Sequence, residues 1–176
     1  MIGLNKNVVT VCPYDKSWPE EYEKEKKILE NILKGFDFRI EHIGSTSIPG
    51  LSAKPIIDIA IAVKDEQTMI KIAEALGEAG YDMLNSLETK GEILARKGTP
   101  ECRTHYIHIV KLGSVYWNEH IYFKQYLLDH EQTVREYEKL KCELSKKYAN
   151  DRKKYTAAKD EFISAVLEKA YKMYNL

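Results

Sequence analysis

The chain has 176 residues, and its 27 Lys plus Arg are balanced by 27 Asp plus Glu, so no global field draws it to nucleic acid or to a membrane surface. No apolar run approaches the ~20 residues of a membrane span, and the start MIGLNKNVV lacks the apolar core of a signal peptide. Cys12, Cys102 and Cys142 form no CxxC pair, which argues against a disulfide framework and leaves a soluble, cytoplasmic protein as the expectation.

The first element in chain order is Val8–Cys12, β-branched and followed by Pro13, which suits a short strand. Trp18, Tyr22, Leu29, Ile32 and Leu33 then recur at helical spacing, with Ser17 as N-cap, Pro19 in the first turn and Gly35 closing the segment. Phe36, Phe38 and Ile40 alternate with Asp37, Arg39 and Glu41, the pattern of a half-buried strand that ends at Gly44. PIIDIAIAV is a nearly continuous aliphatic run and predicts a central strand up to Val63. A helix follows from Asp65 to about Ala79, stopped by Gly80, and then come the strand candidates YDML, EILARK and Thr104–Val110. Neither glycine nor proline occurs after Gly113, and the spacing of Val134, Tyr137, Lys141, Leu144 and Tyr148, then Tyr155, Ala158 and Phe162, predicts two or three consecutive helices. The result is one α+β domain over residues 1–176, with a sheet-containing part to about 113 and a helical part from about 114. The basic clusters Lys24, Lys26, Lys27 and Lys146, Lys147 lie among glutamates and read as solvated helix faces.

Chemistry concentrates in HIGSTSIPGLSAKPIIDIAIAV, from His42 to Val63. A strand running into Gly44, Ser45, Thr46 and Ser47 offers backbone N–H groups and hydroxyls together, a combination that binds phosphate oxygens. It is not a P-loop, because Gly44 and Gly50 have the wrong spacing and Leu51 stands where lysine is needed. It is not a GxSxG elbow either, and a plain strand-to-loop turn remains the bland reading. Asp58 decides the balance: an unpaired carboxylate buried in an aliphatic strand costs several kcal/mol, so it is expected to face a cleft with Lys54, His108 or an arginine. Arg96 and Arg103 are possible phosphate forks. Cys102, His105 and His108 would share a helix face, but that segment reads as strand, which argues against zinc there.

The stretch IEHIGSTSIPGLSAKPIIDIAIAV resembles the signature of the GrpB-like family, whose fold belongs to the nucleotidyltransferase superfamily of DNA polymerase β. RTHYIHIV (Arg103 to Val110), the Val11–Trp18 segment, and the helical positions Tyr137, Leu140, Lys141, Leu144, Tyr155, Lys159 and Phe162 extend the resemblance along almost the whole chain. It implies a mixed β-sheet flanked by helices. It also implies a role for Gly44 and Ser45 on nucleotide phosphates and for Asp58 as the first acid of a two-metal site holding Mg²⁺. The second acid is Ala60 here, and His108 stands where relatives place a third. Glu41, Glu92 and Glu101 are the candidate second carboxylates.

Two classes of function follow from these residues. One is Mg²⁺-dependent nucleotidyl transfer to an unknown acceptor, with Asp58 and His108 as catalytic groups, Asp58 on the metal, and Gly44, Ser45, Thr46, Ser47, Lys54, Arg96 and Arg103 on phosphates. The other is a catalytically degenerate module that binds a nucleotide or phosphorylated small molecule, with a possible link to coenzyme A metabolism through relatives fused to its last kinase. A protein-interaction module resting on the tyrosine-rich helices is a weaker third.

Overall fold

The computed structural model describes residues 2–84 and 91–174. Helix α1 (Trp18–Ile32) buries Trp18, Tyr22 and Leu29 along one stripe. Ser17 precedes it without a side-chain cap bond; Asp15 Oδ1 instead accepts from the Ser17 amide at 2.9 Å. Strand β1 (Arg39–Ile43) runs through a 3₁₀ turn at Ser45–Ser47 towards β2 (Ile57–Val63). Helix α2 (Glu66–Glu78) is capped by Asp65, which accepts from the Thr68 amide at 2.8 Å. A two-residue strand β3 (Asp82–Met83) precedes β4 (Glu92–Thr99) and β5 (Cys102–Lys111). Helices α3 (Val115–Asp129), α4 (Glu131–Lys147), α5 (Arg152–Ala157) and α6 (Asp160–Met173) complete the described chain.

The sheet is mixed, in the order β1-β2-β5-β4-β3, with β2 and β5 parallel and the other neighbours antiparallel. The α+β architecture with a helical C-terminal part is the one its periodicities imply. Because side chains alternate along a strand, β2 divides its residues cleanly. Ile57, Ile59 and Ile61 pack with Ile107, Ile109 and the stripes of α1 and α2. Ala60 and Ala62 on the other face pack with Ile43, Val110 and Trp117 of α3. Those alanines are small enough to let α3 lie close to the sheet.

Two expectations are corrected. Val8–Cys12 is not a strand: Cys12 makes one isolated bridge with Ala53, and the Val9 amide turns away to bond the Ala149 carbonyl at 2.8 Å. The C-terminal part holds four helices among the described residues, not two or three. Its breaks need no glycine or proline. His130 stacks on Tyr126 and bonds that residue's carbonyl at 2.8 Å, while Asp151 caps the start of α5 by accepting from the Lys154 amide at 3.0 Å.

Candidate functional site

Asp58 lies near the start of β2, on the face shared with Ala60. Its neighbours across the ladder are Ile43 on β1 and Tyr106 on β5. Gly44 follows β1 with φ 68° and ψ −173°, and a Cβ built there would stand 2.6 Å from Asp58 Oδ2. Only glycine brings the turn this close to the carboxylate. Within the turn, Ser47 Oγ donates back to the Gly44 carbonyl at 2.7 Å, and Thr46 Oγ1 is buried against His42 Nε2 at 2.9 Å. His42 itself stacks on Tyr22 of α1, and burial pulls its pKa down to about 4. Two of the three hydroxyls are therefore engaged in holding the turn.

Gly44, Ser45 and Asp58 border a cavity of about 150 Å³ closed by α4, α5 and Lys159 just ahead of α6. Its other walls carry Lys54, Lys141, Arg152 and Lys159, four cations against the single Asp58 carboxylate. Tyrosines seat them: Lys54 and Lys159 lie over Tyr155 at 5.4 and 4.7 Å, Lys141 over Tyr137 at 4.7 Å, and Arg152 over Tyr106 at 5.2 Å. Lys141 also donates to the Ser52 carbonyl, and Glu138 accepts from the Ser52 amide at 3.1 Å. Burial, then the charge of Arg152 and Lys159, pushes Lys54 down to about 7. Lys141 is likewise down to about 7, from burial and then Lys159. So much mutual repulsion in a partly open cavity is relieved by an anion.

On its other side Asp58 Oδ1 faces His108 Nε2 at 3.8 Å, and His108 Nδ1 is 2.8 Å from Glu92 Oε1. The same Glu92 oxygen is 3.2 Å from His120 Nε2 of α3. Burial opposes a charge on His108, but Asp58 and Glu92 outweigh it and lift its pKa to about 9. Glu92 falls to about 2, with burial again opposing and the hydrogen bonds of His108 and His120 prevailing. Asp58, 32% exposed, also lies below the usual carboxylate range despite burial, held there by His108 and Lys54.

The structure thus gathers Gly44, Ser45, Lys54, Asp58 and His108 at one place. It puts others elsewhere. Ser47 is outside the cavity wall, whereas Thr46 does line the cavity with its hydroxyl held on His42. Arg96 and Arg103 both grip Asp82, at 2.8 and 2.5 Å, and Arg103 also donates to the Gly98 carbonyl. Glu41 pairs with Lys124 at 3.4 Å, and Glu101 sits in the exposed β4–β5 turn. Of the candidate second carboxylates, Glu92 is the one joined to Asp58, through His108. Ala60, at the second-acid position, is fully buried beneath Trp117, so apolar packing occupies that place. Sequence reasoning missed the roles of Lys141, Arg152 and Lys159. One signal was present: Lys141 occupies an apolar position in its helix's periodic stripe.

The GrpB protein family matches residues 8–169, and the chain belongs to that family. It is 38% identical over 171 residues to the glutamate-rich protein GrpB of Alkalihalophilus pseudofirmus, covering 95% of this chain and 98% of that one. The crystal structure of the conserved protein GrpB from Enterococcus faecalis is 32% identical and superposes over 95% of this chain and 100% of that chain with a TM-score of 0.85. A shorter match, 32% identical over 82 residues, is to a dephospho-CoA kinase of Mycolicibacterium paratuberculosis and covers 45% of this chain and 20% of that protein.

Proposed function

We propose that this GrpB-family chain binds a nucleotide or a closely similar phosphorylated metabolite, with the phosphate chain in the cavity between the Gly44–Ser45 turn and the wall of α4, α5 and Lys159. One observation carries the reading: four basic side chains and the Asp58 carboxylate line a cavity of about 150 Å³ beside a glycine-serine turn. Lys54, Lys141, Arg152 and Lys159 would each lose less by being buried once a polyphosphate is among them. Arg152 can meet two phosphate oxygens at once, whereas the lysines act as point charges. Asp58 would repel the phosphate were it not for a cation between them. Mg²⁺ fits that position in part: Asp58 offers one carboxylate, and phosphate oxygens and water supply the remaining ligands it normally keeps.

Nucleotidyl transfer to an acceptor is a second reading, favoured by Asp58 standing beside the phosphate cavity. Against it stands Ala60, since two Mg²⁺ ions about 3.5–4 Å apart need more than one carboxylate between them. A thermal-shift panel separates the readings. Nucleoside triphosphates, coenzyme A precursors and inorganic triphosphate, with and without Mg²⁺, are compared against unphosphorylated nucleosides. Ligand at about a hundred times its dissociation constant adds ~2.7 kcal/mol of stability. That gain is expected from phosphate compounds alone and is lost in Lys141→Met. Stabilisation by nothing in the panel removes the reading. Mg²⁺-dependent pyrophosphate release by wild type and not by Asp58→Ala makes the protein a transferase; binding without release makes it a binding module.

A further inference from the structure

On the far side of Asp58 from the phosphate cavity, three side chains meet that the sequence keeps well apart. Glu92 opens β4, His108 is on β5 and His120 is on α3. Each offers one donor atom, and the three atoms lie within 4.8 Å of one another. Glu92 Oε1 is central, 2.8 Å from His108 Nδ1 and 3.2 Å from His120 Nε2, and the two rings meet edge to face at 4.9 Å. We propose that Glu92, His108 and His120 are the protein ligands of one divalent transition-metal ion, of the zinc, manganese or iron kind, with a coordination position left open.

The donor types favour this class of ion. Two imidazoles and a carboxylate suit zinc and its first-row neighbours, while Mg²⁺ prefers an all-oxygen shell. The spacing is near what it needs: N and O donors about 2.0–2.2 Å from a tetrahedral ion stand roughly 3.3–3.5 Å from each other. An ion therefore replaces the 2.8 and 3.2 Å contacts of Glu92 with the two histidines by moving the donors apart a few tenths of an ångström. A metal-bound histidine commonly gives its second ring nitrogen to a carboxylate, which fixes the ring and strengthens the ligand. His108 is oriented for that role: with Nδ1 on the metal, its Nε2 points towards Asp58 Oδ1, 3.8 Å away and one small side-chain adjustment from a hydrogen bond.

Access is present as well. Glu92 and His120 line a cavity of about 340 Å³ together with Tyr116, and this cavity shares Gly44, Ser45 and Tyr137 with the phosphate cavity. An ion there has an open side for water or a ligand oxygen. A compound whose phosphates lie among the lysines would reach that side by passing Ser45. Asp58 faces both halves, lining the phosphate cavity together with Lys54 and facing His108 on the other side.

The test uses the metal alone. Purified full-length protein is stripped with chelator, dialysed, and titrated with Co²⁺ and Zn²⁺, following cobalt absorption and calorimetric stoichiometry. One ion per chain is expected, with Mg²⁺ competing at least tenfold more weakly. His120→Gln and Glu92→Gln should each weaken binding tenfold or more, Asp58→Asn about tenfold through His108, and Cys102→Ser not at all. Circular dichroism of the stripped variants checks that they fold. Absence of saturable binding in wild type, or undiminished binding in both His120→Gln and Glu92→Gln, overturns the metal site and leaves His108 as an ion-pair bridge between two carboxylates. No phosphate compound is present, so this outcome is independent of the phosphate reading, which is tested on stripped protein with Lys141→Met.

Discussion

Gly44 sits at φ 68° and ψ −173°, a backbone region open in practice to glycine alone, and its missing side chain is what lets the turn lie against Asp58. Gly44→Ala therefore meets two penalties, backbone strain of order 1–3 kcal/mol and a methyl group 2.6 Å from Asp58 Oδ2. The expected outcome is a urea midpoint lowered by at least about 1 kcal/mol of stability, together with weaker triphosphate binding as Asp58 is displaced. An unchanged midpoint would mean that the turn relaxes freely and that glycine has no special place there. The hydroxyls divide the same way between holding and binding. Thr46 and Ser47 are committed to His42 and to the Gly44 carbonyl, which leaves Ser45 as the hydroxyl whose residue borders both cavities.

Helix α5 is only six residues long, too short to be stable in isolation, yet it carries Arg152 and Tyr155 into the wall of the cavity beside Asp58. Its order depends on Asp151, whose Oδ1 accepts from the Lys154 amide at 3.0 Å, and on Tyr155 being 1% exposed. Asp151→Ala removes the cap and should cost about 1 kcal/mol. Faster amide exchange confined to 152–157 and a modest loss of triphosphate affinity, smaller than that of Arg152→Ala, are expected; exchange unchanged in this segment would show that packing alone orders α5. At this scale the sheet was legible and the helix breaks were not. Strand β2 declares itself because a run buried on both faces must be aliphatic, as PIIDIAIAV is. Strand β5 shows the alternation of a half-buried strand, with His105, Ile107 and Ile109 buried between less buried Thr104, Tyr106 and His108. The ends at His130 and Asp151 come from a ring stacked on Tyr126 and from a side-chain cap, neither of which interrupts a helical pattern as glycine or proline does.

The cavity beside Asp58 is a property of the whole molecule, and this limits how much of it a sequence can display. Gly44, Ser45, Lys54 and Asp58 are close in sequence and could be read together. Lys141 and Arg152 arrive from α4 and α5 and Lys159 from the turn ahead of α6, far along the chain, where lysines among glutamates look like any solvated face. Glu92 and His120 are joined to His108 by topology alone. Bringing these parts together has an electrostatic cost, and that cost is measurable at Lys54. Arg152, Lys159 and Asp58 face it across the cavity, and burial with the two cations lowers its pKa from an ordinary 10.5 to about 7. A lysine with a depressed folded pKa destabilises the fold fully below about 7, where both states are protonated, and not at all above about 10.5, where neither is. Lys54→Met should therefore be more stable than wild type at pH 6 without ligand, and the gap should close as the pH rises towards 10. Inorganic triphosphate reverses the sign. By stabilising the charged lysine it raises the pKa again, so that binding at pH 8 takes up protons and weakens with further increase in pH. Calorimetry in two buffers of different ionisation enthalpy reads that uptake directly, and it should be smaller in Lys54→Met. Equal stabilities of wild type and variant at pH 6, or triphosphate binding with no proton uptake at pH 8, would show that Lys54 is not held between these cations and that the cavity is not tuned for an anion.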